Sequence, residues 1–238
     1  MFLDRLRYEL RLMGKKVILT PLVVMGGLVI LGFVLNILGG DKNRTAQLFM
    51  VGLEALLPLA AGVIVATISV RDSALELQLS FPSRYAATTM RRTALIISWT
   101  ICVAVITNGI VIWQFARIPT QIEAWSPPIK FLVTQLAWLS PLCWFVAAGL
   151  FLALLLRSYL GSATILGLIW LLESFLANLF NTTTWLQPIF LFPTTFALTS
   201  TYWLTNRLVL LAIALVLLVV SWMLLYNTEG LLKGSSEE

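Results

Sequence analysis

Two carboxylates stand where carboxylates are costly. Glu54 is the only charged residue between Arg44 and Arg71, and Glu173 the only one between Arg157 and Arg207. A carboxylate inside a bilayer must be paired, hydrated or protonated, so each is a candidate cation site or part of a hydrated vestibule. A hydrogen bond that joins helices, or ties one to an irregular segment, accounts for them equally well. Arg207, Asn108 and Asn178 are the available polar partners. Other chemistry is scarce. There is no histidine, which removes His-ligated metals, haem ligation and Ser-His nucleophiles together. Cys102 and Cys143 lie in charge-free runs and read as small apolar residues, while Asp4, Asp41 and Asp72 fall outside those runs. No catalytic or metal set remains, so the chain by itself is not expected to be an enzyme and needs no cofactor of its own.

The elements that hold these carboxylates follow from composition. Of 238 residues 59% are hydrophobic and 11% charged, against roughly 25% charged in soluble domains, and the mean hydropathy is +0.93. The runs Val17–Gly40, Thr93–Ala116, Phe131–Leu156 and Leu208–Thr228 carry no charge at all. With ~20 apolar residues needed per crossing, the sequence predicts an all-α membrane protein with six transmembrane helices, near 17–39, 47–70, 94–116, 131–156, 159–181 and 208–227. The whole chain is one transmembrane domain, with no room for a soluble one. At 1.5 Å per residue in a ~30 Å core, Glu54 lies ~10 Å and Glu173 ~9 Å below the same face.

Charge placement orients the bundle. With the N-terminus inside, eleven of the 16 Lys and Arg residues are cytoplasmic, and both termini are expected there. The net charge of +5 is therefore a topology signal and not one for nucleic acid. Residues 1–16 repeat Leu3, Leu6, Leu10 and Met13 at helical steps among basic residues, the pattern of an interfacial amphipathic helix rather than a signal peptide. Between spans five and six, residues 182–206 are uncharged but carry Pro188, Pro193 and many threonines. A re-entrant or interfacial outer hairpin fits them, because prolines interrupt a 20-residue helix. A further crossing there is the rival, and it would put the C-terminus outside.

The inner loop after span two reads Val70-Arg-Asp-Ser-Ala-Leu-Glu-Leu-Gln-Leu-Ser-Phe-Pro-Ser-Arg. Ser73 and Glu76 have capping-box spacing for a helix from Ala74 to about Ser80 that stops before Pro82. A second helix starts near Ser83 and runs through Arg91 and Arg92 into span three. This stretch resembles the inner loop of permease subunits of type-2 ABC exporters: Arg71-Asp72, Ser73, Leu75-Glu76-Leu77, Pro82-Ser83-Arg84, then Arg91-Arg92. The entry helix, six spans and outer hairpin are similar to that family as well. Members often carry Glu-Arg-Glu and Gly-Thr where Val70-Arg71-Asp72 and Ser73-Ala74 stand here.

The resemblance implies a coupling role for Arg71, Asp72, Ser73, Glu76, Pro82 and Arg84, docked on an ATPase. It implies two ATPase subunits that bind ATP and Mg, a second permease copy, identical or related, and a prokaryotic cytoplasmic membrane. No G-x-x-x-x-G-K-[ST] occurs in the chain, so ATP hydrolysis must come from a separate subunit. The expected activity is export of an amphiphilic or hydrophobic substrate such as a peptide, drug or lipid. The alternative is an ion-coupled carrier or channel that uses Glu54 and Glu173.

Overall fold

The computed structural model describes residues 15–37, 42–70, 82–115 and 119–226, and every regular element in them is helical. In chain order the helices are α1 (Lys15–Ile37), α2 (Lys42–Val51), α3 (Leu57–Val70), α4 (Pro82–Phe115), α5 (Pro127–Thr134), α6 (Leu136–Leu156), α7 (Tyr159–Phe175), α8 (Ala177–Thr182), α9 (Pro193–Phe196) and α10 (Trp203–Tyr226). Among the described residues, five stretches are long and apolar enough to cross a membrane: Val17–Ile37, Asn43–Val70, Ala86–Ile110, Pro127–Leu156 and Trp203–Tyr226. Helix α7, at 17 residues, is a shorter apolar helix. The entry helix expected over residues 1–16 falls outside the described residues as far as residue 14, and the inner-loop helix expected over 74–80 lies wholly outside them.

Proline decides how the second crossing is built. The ring of Pro58 has no N–H and clashes with the carbonyl four residues back, which belongs to Glu54. One rung of the α-helical ladder is lost at that point. The chain instead makes a π-helical turn over Gly52–Leu56, in which the Leu57 N–H reaches back to the Gly52 carbonyl. Glu54 sits at the centre of the widened turn. Such bulges recur at functional positions.

Helix α6 is the axis of the bundle, with α3 and α10 packed most extensively against it. Phe145, Val146, Ala147, Leu150 and Ala153 of α6 are fully buried. It ends where Arg157 takes the left-handed conformation, φ 52°, a helix-terminating role more often filled by glycine. Ser158 then caps α7 by accepting from the Gly161 N–H at 3.2 Å. Helix α7 buries only Ser162, Leu166 and Glu173, while Leu160, Leu168, Leu172 and Phe175 are exposed as a lipid-facing surface would be. It stops at Leu176, whose φ of −96° and ψ of 17° separate it from α8. The stretch expected as one span over 159–181 is thus two helices.

The closest helix crossing lies at Gly62 of α3 and Gly149 of α6. A Cβ on Gly62 would stand 2.6 Å from the Phe145 carbonyl oxygen, and one on Gly149 would stand 2.5 Å from the Gly62 carbonyl oxygen. Ser162 of α7 donates to the Gly149 carbonyl at 3.1 Å, so three helices meet there. Contacts at Gly32 and Gly161 are looser: a Cβ on Gly32 would stand 3.3 Å from the Phe49 ring and one on Gly161 3.3 Å from the Leu156 side chain. At Gly26, Gly27 and Gly167 nothing stands within 4 Å of an added Cβ. Polar side chains elsewhere turn back on their own helices, as Thr67, Ser69, Thr100 and Thr107 do by donating to the carbonyl four residues earlier.

The Gly62/Gly149 crossing sets a clear expectation. Gly149→Ala must push two backbones apart and is expected to cost about 1–3 kcal/mol, the usual range for overpacking. Gly167→Ala has open space and relieves a helix of glycine, so it should be neutral or stabilising by up to ~1 kcal/mol. Thermal unfolding of the detergent-solubilised chain compares the two; equal melting temperatures would refute the close crossing.

Candidate functional site: a buried carboxylate and guanidinium cluster

Between α8 and α10 the chain contains no helix longer than the four residues of α9 and a three-residue 3-10 turn at Gln187–Ile189. Yet Phe190, Leu191 and Phe192 are fully buried. Phe192 stacks on Phe145 of α6 at 6.4 Å and Phe190 on Phe180 of α8 at 5.4 Å, which wedges this segment into the bundle. Buried irregular backbone must find partners for each N–H and C=O that a helix would have satisfied. Here side chains from three directions supply them.

Glu54 supplies the first. Helix α9 begins with Pro193 and is preceded by Phe192, which has no side chain able to cap it. The orphan N–H groups of Thr194 and Thr195 donate to the two oxygens of Glu54, at 2.9 and 2.6 Å. The Thr195 hydroxyl donates to the same carboxylate at 2.6 Å. A carboxylate from the π-turn thus does the work of an N-cap for a helix 140 residues away in sequence, where a negative charge is favoured.

Arg207 of α10 completes the pair. Its guanidinium forms a salt bridge with Glu54, with side chains 0% and 1% exposed. It also donates to the Thr194 hydroxyl at 2.6 Å and to the Leu191 carbonyl at 3.1 Å. Its central carbon lies 5.6 Å from the Trp203 ring, and the indole N–H of Trp203 donates to the Thr194 hydroxyl at 2.9 Å. The Arg207 Nε has no hydrogen-bond partner among the described residues.

Glu173 and Asn206 hold one peptide unit between them. The Leu191 N–H donates to Glu173 at 2.7 Å. The Phe190 carbonyl, on the other side of that peptide, accepts from the Asn206 amide at 2.7 Å, and the same amide donates to the Gln187 carbonyl at 2.8 Å. Farther out, Gln121 donates to the Thr201 carbonyl at 2.8 Å and accepts from the Leu204 N–H at 2.9 Å, which caps the start of α10. Tyr202 donates to the Asn181 side chain at 2.6 Å.

The residues singled out by sequence are distributed unevenly. Glu54, Glu173 and Arg207 come together around the 190–195 segment. Asn108 donates instead to Gln135 at 3.1 Å, and Asn178 is exposed. Arg71, Asp72, Ser73 and Glu76 lie outside the described residues; Pro82 and Arg84 are in the first turn of α4, and their side chains lie outside them too. Sequence reasoning missed Thr194, Thr195, Trp203, Asn206 and Gln121. One signal was present: Pro193-Thr194-Thr195 starts a helix whose preceding residue, Phe192, cannot cap it, so an acceptor had to come from elsewhere. Among the described residues no group of three or more His, Cys, Asp or Glu side chains is placed to hold a metal. No family model, no curated protein and no solved structure matches this chain.

Removing one partner of a buried ion pair leaves the other uncompensated, at a cost of about 3–5 kcal/mol. Arg207→Leu is expected to destabilise by that amount. Combining it with Glu54→Gln should recover part of the loss, because the pair is removed together. A double-mutant cycle on thermal unfolding reads the coupling; strict additivity of the two substitutions would show that the pair is not one energetic unit.

Proposed function

We propose that this chain is the membrane-spanning subunit of a type-2 ABC exporter, which forms the translocation pathway for an amphiphilic or hydrophobic substrate and draws its energy from separate ATPase subunits. The observation that carries this reading is α4. It begins at Pro82 and runs unbroken for 34 residues to Phe115. At 1.5 Å per residue that is ~51 Å, ~20 Å more than a hydrocarbon core requires. A helix of that reach links the loop over residues 71–81 rigidly to the third crossing. Closure of an ATPase dimer against Arg71, Asp72, Ser73, Glu76, Pro82 and Arg84 then tilts a membrane helix as a rigid body. With no nucleotide-binding motif in the chain, hydrolysis falls to the partner.

In this reading α7 and α8 together make the fifth of six crossings, since the 17 residues of α7 alone rise ~26 Å. The 183–202 segment is then a re-entrant outer hairpin and both termini face the cytoplasm. Two permease copies and two ATPases assemble in a prokaryotic inner membrane. The chain is non-catalytic, and its exposed apolar helices suit lipid on one side and a greasy cargo on the other.

Purification of the full chain from its source membrane in mild detergent provides the test. An ATP-hydrolysing subunit should co-purify, and charge reversal by Arg71→Glu with Glu76→Lys should weaken its retention about tenfold or more, ~1.4 kcal/mol. An intact chain that retains no ATPase, with vesicle transport driven by an ion gradient alone, would overturn the proposal.

A further inference from the structure

The buried cluster does not balance electrically. It contains two carboxylates and one guanidinium, and all three are enclosed: Arg207 is 0%, Glu54 1% and Glu173 7% exposed. An unneutralised charge in an apolar interior costs several kcal/mol, and the usual escape is to bind a counter-charge or a proton. The elements packed around Glu173 offer no second cation. Helix α3 has no titratable residue, α6 only Cys143, and α7 itself only Tyr159 besides Glu173. The π-turn contributes Glu54, α8 nothing, the 183–202 segment only Tyr202, and α10 Arg207 and Tyr226.

The two carboxylates are not equivalent. Glu54 accepts from the Thr194 and Thr195 N–H groups, the Thr195 hydroxyl and the Arg207 guanidinium. With a guanidinium and three further donors around it, Glu54 has the partners that a buried charge needs. Glu173 accepts a single hydrogen bond, from the Leu191 N–H. It is also the member of the three with the most exposure. A metal ion is a poor substitute. Hard cations take six or more oxygens, and the nearby carbonyls of Phe190, Gln187 and Leu191 already accept from Asn206 and Arg207.

We propose that Glu173 is a proton-binding site: it carries one exchangeable proton while Glu54 and Arg207 remain an ion pair, which makes the cluster neutral. Binding is a plain transfer from water to a carboxylate oxygen, and the Leu191 N–H keeps its acceptor throughout. Loss of the proton leaves an unpaired negative charge buried beside the 190–191 peptide. The inference is independent of whether an ATPase drives the chain.

Infrared difference spectroscopy of the full chain reconstituted in phosphatidylcholine vesicles reads the proton directly. At neutral pH the chain should show the carbonyl stretch of an un-ionised carboxyl, shifted by transfer to D2O. The band should vanish in Glu173→Gln and stay unchanged on adding sodium or potassium chloride; in Glu54→Gln, where Glu173 is the one carboxylate left to balance Arg207, it should weaken. Glu173→Gln mimics the neutral carboxyl, so its melting temperature should match that of the unmodified chain, while Glu54→Gln lowers it. Absence of the band in the unmodified chain, its persistence in Glu173→Gln, its displacement by either cation, or a melting temperature for Glu173→Gln as low as that of Glu54→Gln would each overturn the proposal.

Discussion

A main chain that leaves helical geometry inside an apolar bundle frees polar groups that lipid cannot satisfy, and the Glu54–Arg207 pair is what makes the departure tolerable here. From one side the carboxylate gathers the N–H groups of Thr194 and Thr195, and from the other the guanidinium takes the Leu191 carbonyl. Take either away and the wedge of Phe190, Leu191 and Phe192 sits over an uncompensated charge. The net contribution of such a pair to stability is small, because desolvation offsets most of the attraction. Its value lies in specifying one docked arrangement of a segment whose own helical content is a single turn.

The π-turn and the pair are one device. Pro58 removes the hydrogen bond to the Glu54 carbonyl, the ladder widens over Gly52–Leu56, and the carboxylate is presented at the place where α9 lacks a cap. Four sequence features separated by up to 153 residues, Pro58, Glu54, Pro193 and Arg207, therefore answer one another. None of them alone says where the others are.

Five of the apolar runs were legible in the sequence because lipid imposes a strong, simple pattern on any crossing. Their limits were less so: the crossing stretches start up to eight residues before the expected spans, at Ala86 rather than 94, and the run over 159–181 is not one long helix. The cost of an intramembrane charge likewise singled out Glu54 and Glu173 and brought Arg207 into consideration as a partner. Less was readable where the cause is a contact between distant helices. Gly62 and Gly149 look like any glycines in long apolar runs, and only the crossing of α3 and α6 distinguishes them from Gly26 or Gly167. The break at Leu176 carries no proline or glycine to announce it. Asn206 and Gln121 act on main-chain atoms, and main-chain partners leave no trace in residue type.

The Gly62/Gly149 contact has a mechanical side. Val70, the last residue of α3, is eight residues from Gly62, and Glu54 is eight residues away in the other direction. At 1.5 Å per residue each distance is ~12 Å. With a backbone-to-backbone contact that cannot slide without a clash, Gly62 is a fulcrum with arms of equal length. A sideways push at Val70 returns at Glu54 with the same size and opposite sense, so the carboxylate that fastens the 190–195 segment is also the far end of a lever.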